Sequence, residues 1–316
     1  MYAKENYRKV KEIIEARRLK AIGDAEAKNF EAAALSEDIR TIDSELRGVG
    51  LLLFKTACDG GDIKPIRERN LFLVEERKKA LVRLGFPEDY TEVKYTCAEC
   101  SDSGFVGTRM CKCFREMLIK ENIKSSGMGV LIEKQSFENF DLSRYAGDTD
   151  TYNRMKSNFE SAKKYAEDFD KAPTTMLLIG KTGTGKTHLS TAIAKTVIEK
   201  GYEVLYDSSQ NVITAFENDR FRSGYGHYEP EGDKYFECDL LILDDLGTEF
   251  VNQFTVSCLY NLINTRQNKG LHTIISTNLQ PSDITAKYED RIYSRIMGCD
   301  SKIMFFVGKD RRIEGK

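Results

Sequence analysis

The chain has 316 residues, 41% of them hydrophobic, which is enough to fill the cores of two domains. Its formal net charge is only −2, so any nucleic-acid contact has to come from a local patch rather than a global field. No apolar run approaches the length of a membrane span, and the charged opening Met1–Tyr2–Ala3–Lys4–Glu5 does not look like a signal peptide; a cytoplasmic protein with no membrane partner is expected.

Residues 1 to about 85 read as helices. Ile39, Ile42, Leu46, Val49 and Leu53 alternate by three and four, which sets them along one helical stripe. Leu73, Val74, Leu81 and Leu84 form a second stripe, stopped by Gly85–Phe86–Pro87. Between the two, Asp59–Gly60–Gly61–Asp62 with Pro65 is a turn. The apolar faces either pack on each other as a small bundle or leave one face to dock a partner protein; the stripe does not say whose surface it meets.

Cys97–Ala98–Glu99–Cys100 is followed after ten residues by Cys111–Lys112–Cys113. Two close pairs carried on two turns can converge four thiolates on one tetrahedral point, as zinc requires. Gly104 and Gly107 fall where a short hairpin would reverse between the pairs. All four ligands are sulfur, which leaves no open position for chemistry and makes the zinc role structural. Redox-active or chance cysteines are the alternatives, but neither pair precedes a helix in a thioredoxin-like pattern. The remaining Cys58, Cys238, Cys258 and Cys299 are dispersed and read as small buried apolar residues.

A helix is expected from about Phe114 to Asn122, then a linker at Ser125–Ser126–Gly127–Met128–Gly129. Phe137–Glu138–Asn139–Phe140–Asp141 opens a second domain, and a polar-faced helix over 151–169 leads to Pro173 and a first strand. The expected division is a helical partner-binding region at 1–90, a four-cysteine zinc module at 91–124, a linker at 125–135 and a second domain at 136–316.

Met176–Leu177–Leu178–Ile179 reads as a strand, and Gly180–Lys181–Thr182–Gly183–Thr184–Gly185–Lys186–Thr187 after it fits GxxxxGK[ST] at every fixed position. Glycines let several backbone N–H groups face one anion, and the helix that follows points the positive end of its dipole there. Lys186 can reach the β- and γ-phosphates, the Thr187 hydroxyl can ligate Mg²⁺, and the nucleotide-binding set extends to His188. A helix over Thr187–Lys200 ends at Gly201, and Glu203–Tyr206 is a second strand. Phe216 to Phe236, with Arg220, Arg222, Tyr225, Tyr228 and Lys234, can pair arginines with phosphates and stack tyrosines on nucleic-acid bases. Glu229, Glu231, Asp233 and Glu237 dilute that patch, so an ordinary surface loop stays open as the alternative.

Asp239–Leu240–Leu241–Ile242–Leu243–Asp244–Asp245 is an apolar strand ending in acids, which puts a carboxylate at the sheet edge beside the phosphate loop. Asp244 is suited to the Mg²⁺ shell, and Asp245 to orienting or deprotonating an attacking water. Leu271 to Asn278 is a further strand; inserted between the strands carrying the two nucleotide motifs, it sets Asn278 near the γ-phosphate. Ile303–Val307 is the last of five strands in an α/β fold with a parallel sheet covered on both faces.

Gly180–Thr187, Asp239–Leu246, Ser276–Thr277–Asn278–Leu279 and Arg291–Ile292–Tyr293–Ser294–Arg295 together resemble the AAA+ ATPases of the DnaC/DnaI helicase-loader and IstB group, over roughly residues 136–316. The cysteine cluster and Phe137–Asp141 resemble the zinc-containing loaders of the DnaI type. The resemblance implies that Asp244 binds magnesium and that Asp245 is catalytic, an Asp where most AAA+ proteins carry Glu. It implies that Asn278 is sensor 1 and that Arg295, with Arg291 next, is the arginine finger given to a neighbouring subunit. It further implies that Gly308–Lys309–Asp310–Arg311–Arg312 is the sensor 2 ending, through Arg312. ATP, Mg²⁺ and Zn²⁺ are the cofactors implied, and the partners are a hexameric replicative helicase of the DnaB type, single-stranded DNA and further copies of the chain. An IstB-like transposition helper, which remodels duplex DNA for a transposase, shares the ATPase core but usually lacks the cysteine module. A small-molecule P-loop kinase would need an acceptor pocket and a lid.

Overall fold

The computed structural model describes residues 3–172, 174–222, 230–308 and 310. The chain divides into two compact units, one of Lys9–Phe114 and the other of Met1–Arg8 with Arg115–Lys316.

In the first unit, α1 (Lys4–Leu35) and α2 (Glu37–Cys58) are separated by Ser36 alone, whose hydroxyl accepts the Ile39 N–H at 3.3 Å as an N-cap. The expected turn at Asp59–Asp62 follows, and α3 (Lys64–Arg83) begins with Pro65 in its first turn. Ile39 is fully buried against Ala32, Ala80 and Leu81, and the rest of its stripe is half-buried, so the apolar face packs within the bundle. Arg77 of α3 ties the helices together, donating to Asp43 of α2 and Asn29 of α1 at 2.6 Å each, and to Thr91 at 2.6 Å. Leu51, Phe54, Leu71 and Phe72 point to solvent instead. After the bundle, β1 (Phe105–Val106) and β2 (Arg109–Met110) form the expected antiparallel hairpin between the cysteine pairs, turning at Gly107 (φ 61°).

The second unit is built on a five-stranded parallel sheet of β3 (Thr175–Gly180), β4 (Val204–Ser208), β5 (Leu240–Leu246), β6 (His272–Thr277) and β7 (Ser301–Phe306), in spatial order β4–β5–β6–β3–β7. β6 lies between β5 and β3, as the sequence led one to expect. Side chains alternate between two buried layers, as the two-residue strand period requires. Met176, Leu178, Ile242 and Ile274 face α6 (Thr149–Glu167) and α7 (Lys186–Glu199). Leu177, Ile179, Leu241 and Ile275 face α8 (Ser209–Arg222), α10 (Gln253–Asn268) and α11 (Pro281–Ile296). This is the α/β AAA+ arrangement that the resemblance implies. No helix among the described residues is long and apolar enough to cross a membrane.

The segment expected as a linker is part of this core. After α4 (Lys112–Ser125), Ser126 O accepts the Tyr206 N–H at 2.7 Å on the edge strand β4. Met128 and Ile132, the latter in α5 (Leu131–Lys134), are each 2% exposed and pack with Met155 and Tyr165. The Ser/Gly composition suggested solvent, but Gly127 is used for close approach: a Cβ there would lie 2.5 Å from Tyr206 O. A short α9 (Asp233–Glu237) completes the helices, and the acid-rich stretch before it begins with Glu231 N–H bonded to Asp219 at 2.8 Å. Cys238 is buried and Cys258 half-buried as expected, whereas Cys58 and Cys299 are exposed: one ends a surface helix and the other lies in the turn before β7.

Candidate nucleotide-binding site

β3 ends at Gly180, where a Cβ would sit 2.4 Å from Phe306 O, so only glycine lets the neighbouring strand pass. The loop then turns through Gly183 (φ 74°) and Gly185 (φ 101°), left-handed conformations that favour glycine, and α7 starts at Lys186. Lys186 is 5% exposed, and its ammonium donates to Gly180 O (2.6 Å), Lys181 O (3.0 Å) and Asn278 Oδ1 (2.6 Å). Asn278, just past the end of β6, is therefore joined to the loop lysine directly.

β5 carries the acids. A register shift between Leu243 and Leu246 turns the two aspartates apart, with Asp245 at φ 53°. Asp244 is 6% exposed: Oδ1 accepts the Ser276 hydroxyl, and Oδ2 accepts the Tyr206 hydroxyl and, at 3.4 Å, the Thr187 hydroxyl. Asp245 is exposed on a clamped backbone. Its N–H donates to Ser276 Oγ at 3.0 Å, and its carbonyl accepts from Ser209 (3.0 Å) and Thr248 (2.9 Å). Ser209 also donates to the buried Glu249, which in turn accepts the Tyr288 hydroxyl of α11 and the Gly247 N–H at 3.0 Å. Two adjacent carboxylates are thus given different settings, Asp244 beside the Thr187 hydroxyl and Asp245 toward the cleft. The cleft, about 210 Å³, is lined by Thr182, Lys186, Thr187, His188, Asp245 and Arg144 among others. Its donor set fits a magnesium–triphosphate: glycine-rich backbone, one buried ammonium, a hydroxyl and a carboxylate converging at one loop.

His188 faces the preceding segment, with Nε2 2.9 Å from Asn139 Oδ1 and 3.0 Å from Ser136 O. Both are acceptors, so Nε2 carries a proton, and burial holds the imidazole pKa below its usual 6.5. Phe140 packs edge-on against His188, and the Tyr145 hydroxyl donates to Thr184 O at 2.9 Å, so Phe137–Tyr145 closes one side of the loop.

The arginines lie elsewhere. Arg295 borders Thr174 and Ser301, at the beginnings of β3 and β7, whereas the phosphate loop leaves the far end of β3. β3 is six residues long, about 20 Å, so Arg295 is remote from the nucleotide of its own chain. Arg291 is 69% exposed, pairs with Glu289 at 2.9 Å and lies over the Tyr260 ring. Arg312 falls outside the described residues, as do Tyr225, Tyr228 and the Arg222 side chain. Gly308, at the start of the expected sensor 2 ending, lies against Tyr145. Of the basic patch, Arg220 sits over Phe254 and Lys234 over Tyr235. Tyr206, Ser209 and Glu249, which help hold the acids, carry no motif, and Ser276 belongs to the Ser276–Leu279 stretch without a role read for it; their contacts arise only when the fold sets them beside β5.

In the other unit, the Sγ atoms of Cys97, Cys100, Cys111 and Cys113 lie within 4.8 Å of one another, with 3.8 Å from Cys97 to Cys111 and 3.5 Å from Cys100 to Cys113. A tetrahedron with Zn–S bonds of about 2.3 Å has edges of about 3.8 Å, so the residues fit zinc. The Cys100 backbone N–H pulls the Cys97 thiol down to about 7 while burial pushes the Cys113 thiol up, so the fit to zinc rests on the sulfur geometry. Asp102, fully buried at φ 51°, accepts the Thr96 and Cys97 N–H groups at 2.8 and 3.0 Å and pairs with Arg17 of α1 at 2.8 Å.

Fold and cleft define a P-loop nucleotide-binding protein of the α/β class. Residues 120–297, more than half of the chain, match the family model described as "IstB-like ATP binding protein", and the chain belongs to that family. It is 25% identical over 182 residues to the replicative helicase loader DnaC of Escherichia coli (strain K12), covering 58% of this chain and 71% of that protein. It is also 25% identical over 252 residues to the phage-like element PBSX protein XkdC of Bacillus subtilis (strain 168), covering 72% of this chain and 90% of that protein. Among solved structures, a crystal structure of DnaI matches 59% of this chain and 95% of its own, at 20% identity and a TM-score of 0.45.

Proposed function

We propose that the chain is an ATPase that loads a ring-shaped hexameric replicative helicase of the DnaB type onto single-stranded DNA, in the cytoplasm. The observation that carries the ATPase half is the direct Lys186–Asn278 bond beside the Thr187–Asp244 pair, which joins two residues of the phosphate loop to one from each of the other two nucleotide motifs. Bound magnesium would neutralise phosphate charge, with Thr187 and Asp244 as its protein ligands. Lys186 binds the phosphates, Asn278 and Asp245 orient water, and Asp245 accepts its proton. Arg295, with Arg291 beside it, serves a neighbour's nucleotide, since its distance from its own loop removes a role in the same chain; Arg312 senses nucleotide in the same chain. The AAA+ units therefore self-associate when ATP is bound.

The loader half is supported by the DnaC similarity together with a four-cysteine cluster of zinc-compatible geometry on a helical region. That region, 1–90 with the module at 91–124, binds the helicase. The residues around Arg220 and Lys234 contact single-stranded DNA. The family description favours a second reading, an IstB-like transposition helper. The test is affinity purification of the intact chain from its source with ATP and magnesium. Recovery of the replicative helicase, lost when Leu51, Phe54 and Phe72 are changed to Ser, supports the loader; recovery of a transposase in its place contradicts it.

A further inference from the structure

Tyr206 is the middle residue of the edge strand β4, paired in register with Ile242 of β5. Its phenol reaches along β5 and donates to Asp244 Oδ2. Asp244 thereby receives three hydroxyl donors, from Ser276 on Oδ1 and from Tyr206 and Thr187 on Oδ2. A carboxylate has about four lone-pair sites, so this arrangement fixes its rotation and leaves room for a cation.

The backbone of the same tyrosine points the other way. Its N–H donates to Ser126 O at 2.7 Å, and its carbonyl lies where a Gly127 Cβ would come within 2.5 Å. Gly127 itself is at φ 80°, so no other residue fits without moving Tyr206. Ser126 is fully buried and donates to Ile123 O at 2.7 Å, closing the end of α4. The start of α1 joins the same place, where Asn6 Nδ2 donates to Asn122 Oδ1 (2.7 Å) and Ser125 Oγ (2.8 Å). One residue thus touches the acid of the nucleotide site with its side chain and the end of α4 with its main chain.

We propose that Tyr206 is a positioning residue that aims Asp244 at magnesium and transmits the occupancy of that site to the Ser126–Gly127 segment ending α4. The inference deepens the nucleotide-site reading and rests on it. Hydrogen-bonded partners one step out from a metal ligand set its orientation, and their loss typically weakens metal affinity by about 10–100-fold. Without the phenol, Asp244 is free to rotate away from Thr187.

The experiment is ATP binding by the intact chain, titrated with magnesium and followed by calorimetry, for the unmodified protein, Tyr206→Phe and Gly127→Ala, each verified as folded by circular dichroism. Tyr206→Phe is expected to raise the magnesium needed for half-maximal binding by about tenfold while ATP affinity in EDTA stays within about twofold. Gly127→Ala, which acts from the main-chain side, is expected to shift it in the same direction. Amide hydrogen exchange gives a second readout: magnesium-ATP slows exchange at Tyr206 N–H in the unmodified chain and not in Tyr206→Phe. An unchanged magnesium requirement in Tyr206→Phe, or equal weakening with and without magnesium, overturns the inference alone. Absence of magnesium-dependent binding in the unmodified chain overturns the nucleotide-site reading and the inference with it.

Discussion

Asp244 and Asp245 are neighbours in sequence with opposite environments, and the difference supports the roles proposed for them. The buried Asp244 accepts from three hydroxyl donors, whereas the exposed Asp245 sits on a left-handed backbone fixed by Ser276 and Ser209. Asp245→Asn keeps the main-chain clamps and removes the proposed base. ATP affinity is then expected to stay within about threefold, while single-turnover hydrolysis falls by about 100-fold or more. A comparable fall in affinity would instead mark Asp245 as a binding residue. The motif lettering revealed both acids and the loop, because phosphate chemistry permits few residues at those spacings. It said nothing of Tyr206 or Glu249, whose positions depend on which strand neighbours β5. In the other unit, Asp102 is buried, pairs with Arg17 and holds the first cysteine's N–H. Removing one member of such a pair strands the other, so Asp102→Asn is expected to destabilise that unit by about 3 kcal/mol, measured by urea unfolding with zinc present.

At the scale of elements, α11 is the informative one. Its buried residues Ile284, Tyr288, Ile292 and Ile296 recur every four positions, but Glu289 breaks the helix at φ 68°, ψ 161°, a conformation that is essentially glycine's. Just before the break, Tyr288 is anchored to Glu249 and Lys287 to Gly247 O, so the first half is tied to the loop behind Asp245. The second half carries Arg291 and Arg295, and Gln267 holds its end through Arg295 O at 2.8 Å. Helical periodicity cannot reveal a break whose cause is tertiary, since both halves keep their apolar residues facing the sheet. Glu289→Gly relieves the strain and sacrifices only an exposed ion pair of small worth, so it is expected to stabilise the protein by about 1 kcal/mol in chemical denaturation. Destabilisation would show that the turn is held by its side chain. The 125–135 segment illustrates the converse. Its small residues read as flexible, yet Gly127 and Ser126 are small because they pack against an edge strand's backbone.

At the scale of the whole molecule, five parallel strands could be inferred from alternating strands and helices and both nucleotide motifs from their lettering, but of the strand order only the position of β6 between β5 and β3 was expected, and the edge places of β4 and β7 were not. The cysteine spacing likewise announced the four-sulfur cluster. Which proteins the chain meets is not a local property, and no periodicity encodes it. If Arg295 serves a neighbour, Arg295→Ala binds ATP normally, while its hydrolysis under conditions of assembly falls by about 1,000-fold. Equal hydrolysis by the variant and the unmodified chain at high concentration would remove the arginine from the reaction.

The central claim is that Lys186, Thr187 and Asp244 clasp a magnesium–triphosphate. Isothermal titration of the folded, full-length chain with ATP in magnesium measures this directly. The account predicts saturable binding of one ATP per chain, abolished by Lys186→Ala and weakened when magnesium is removed. A folded chain that takes up neither ATP nor ADP would contradict it.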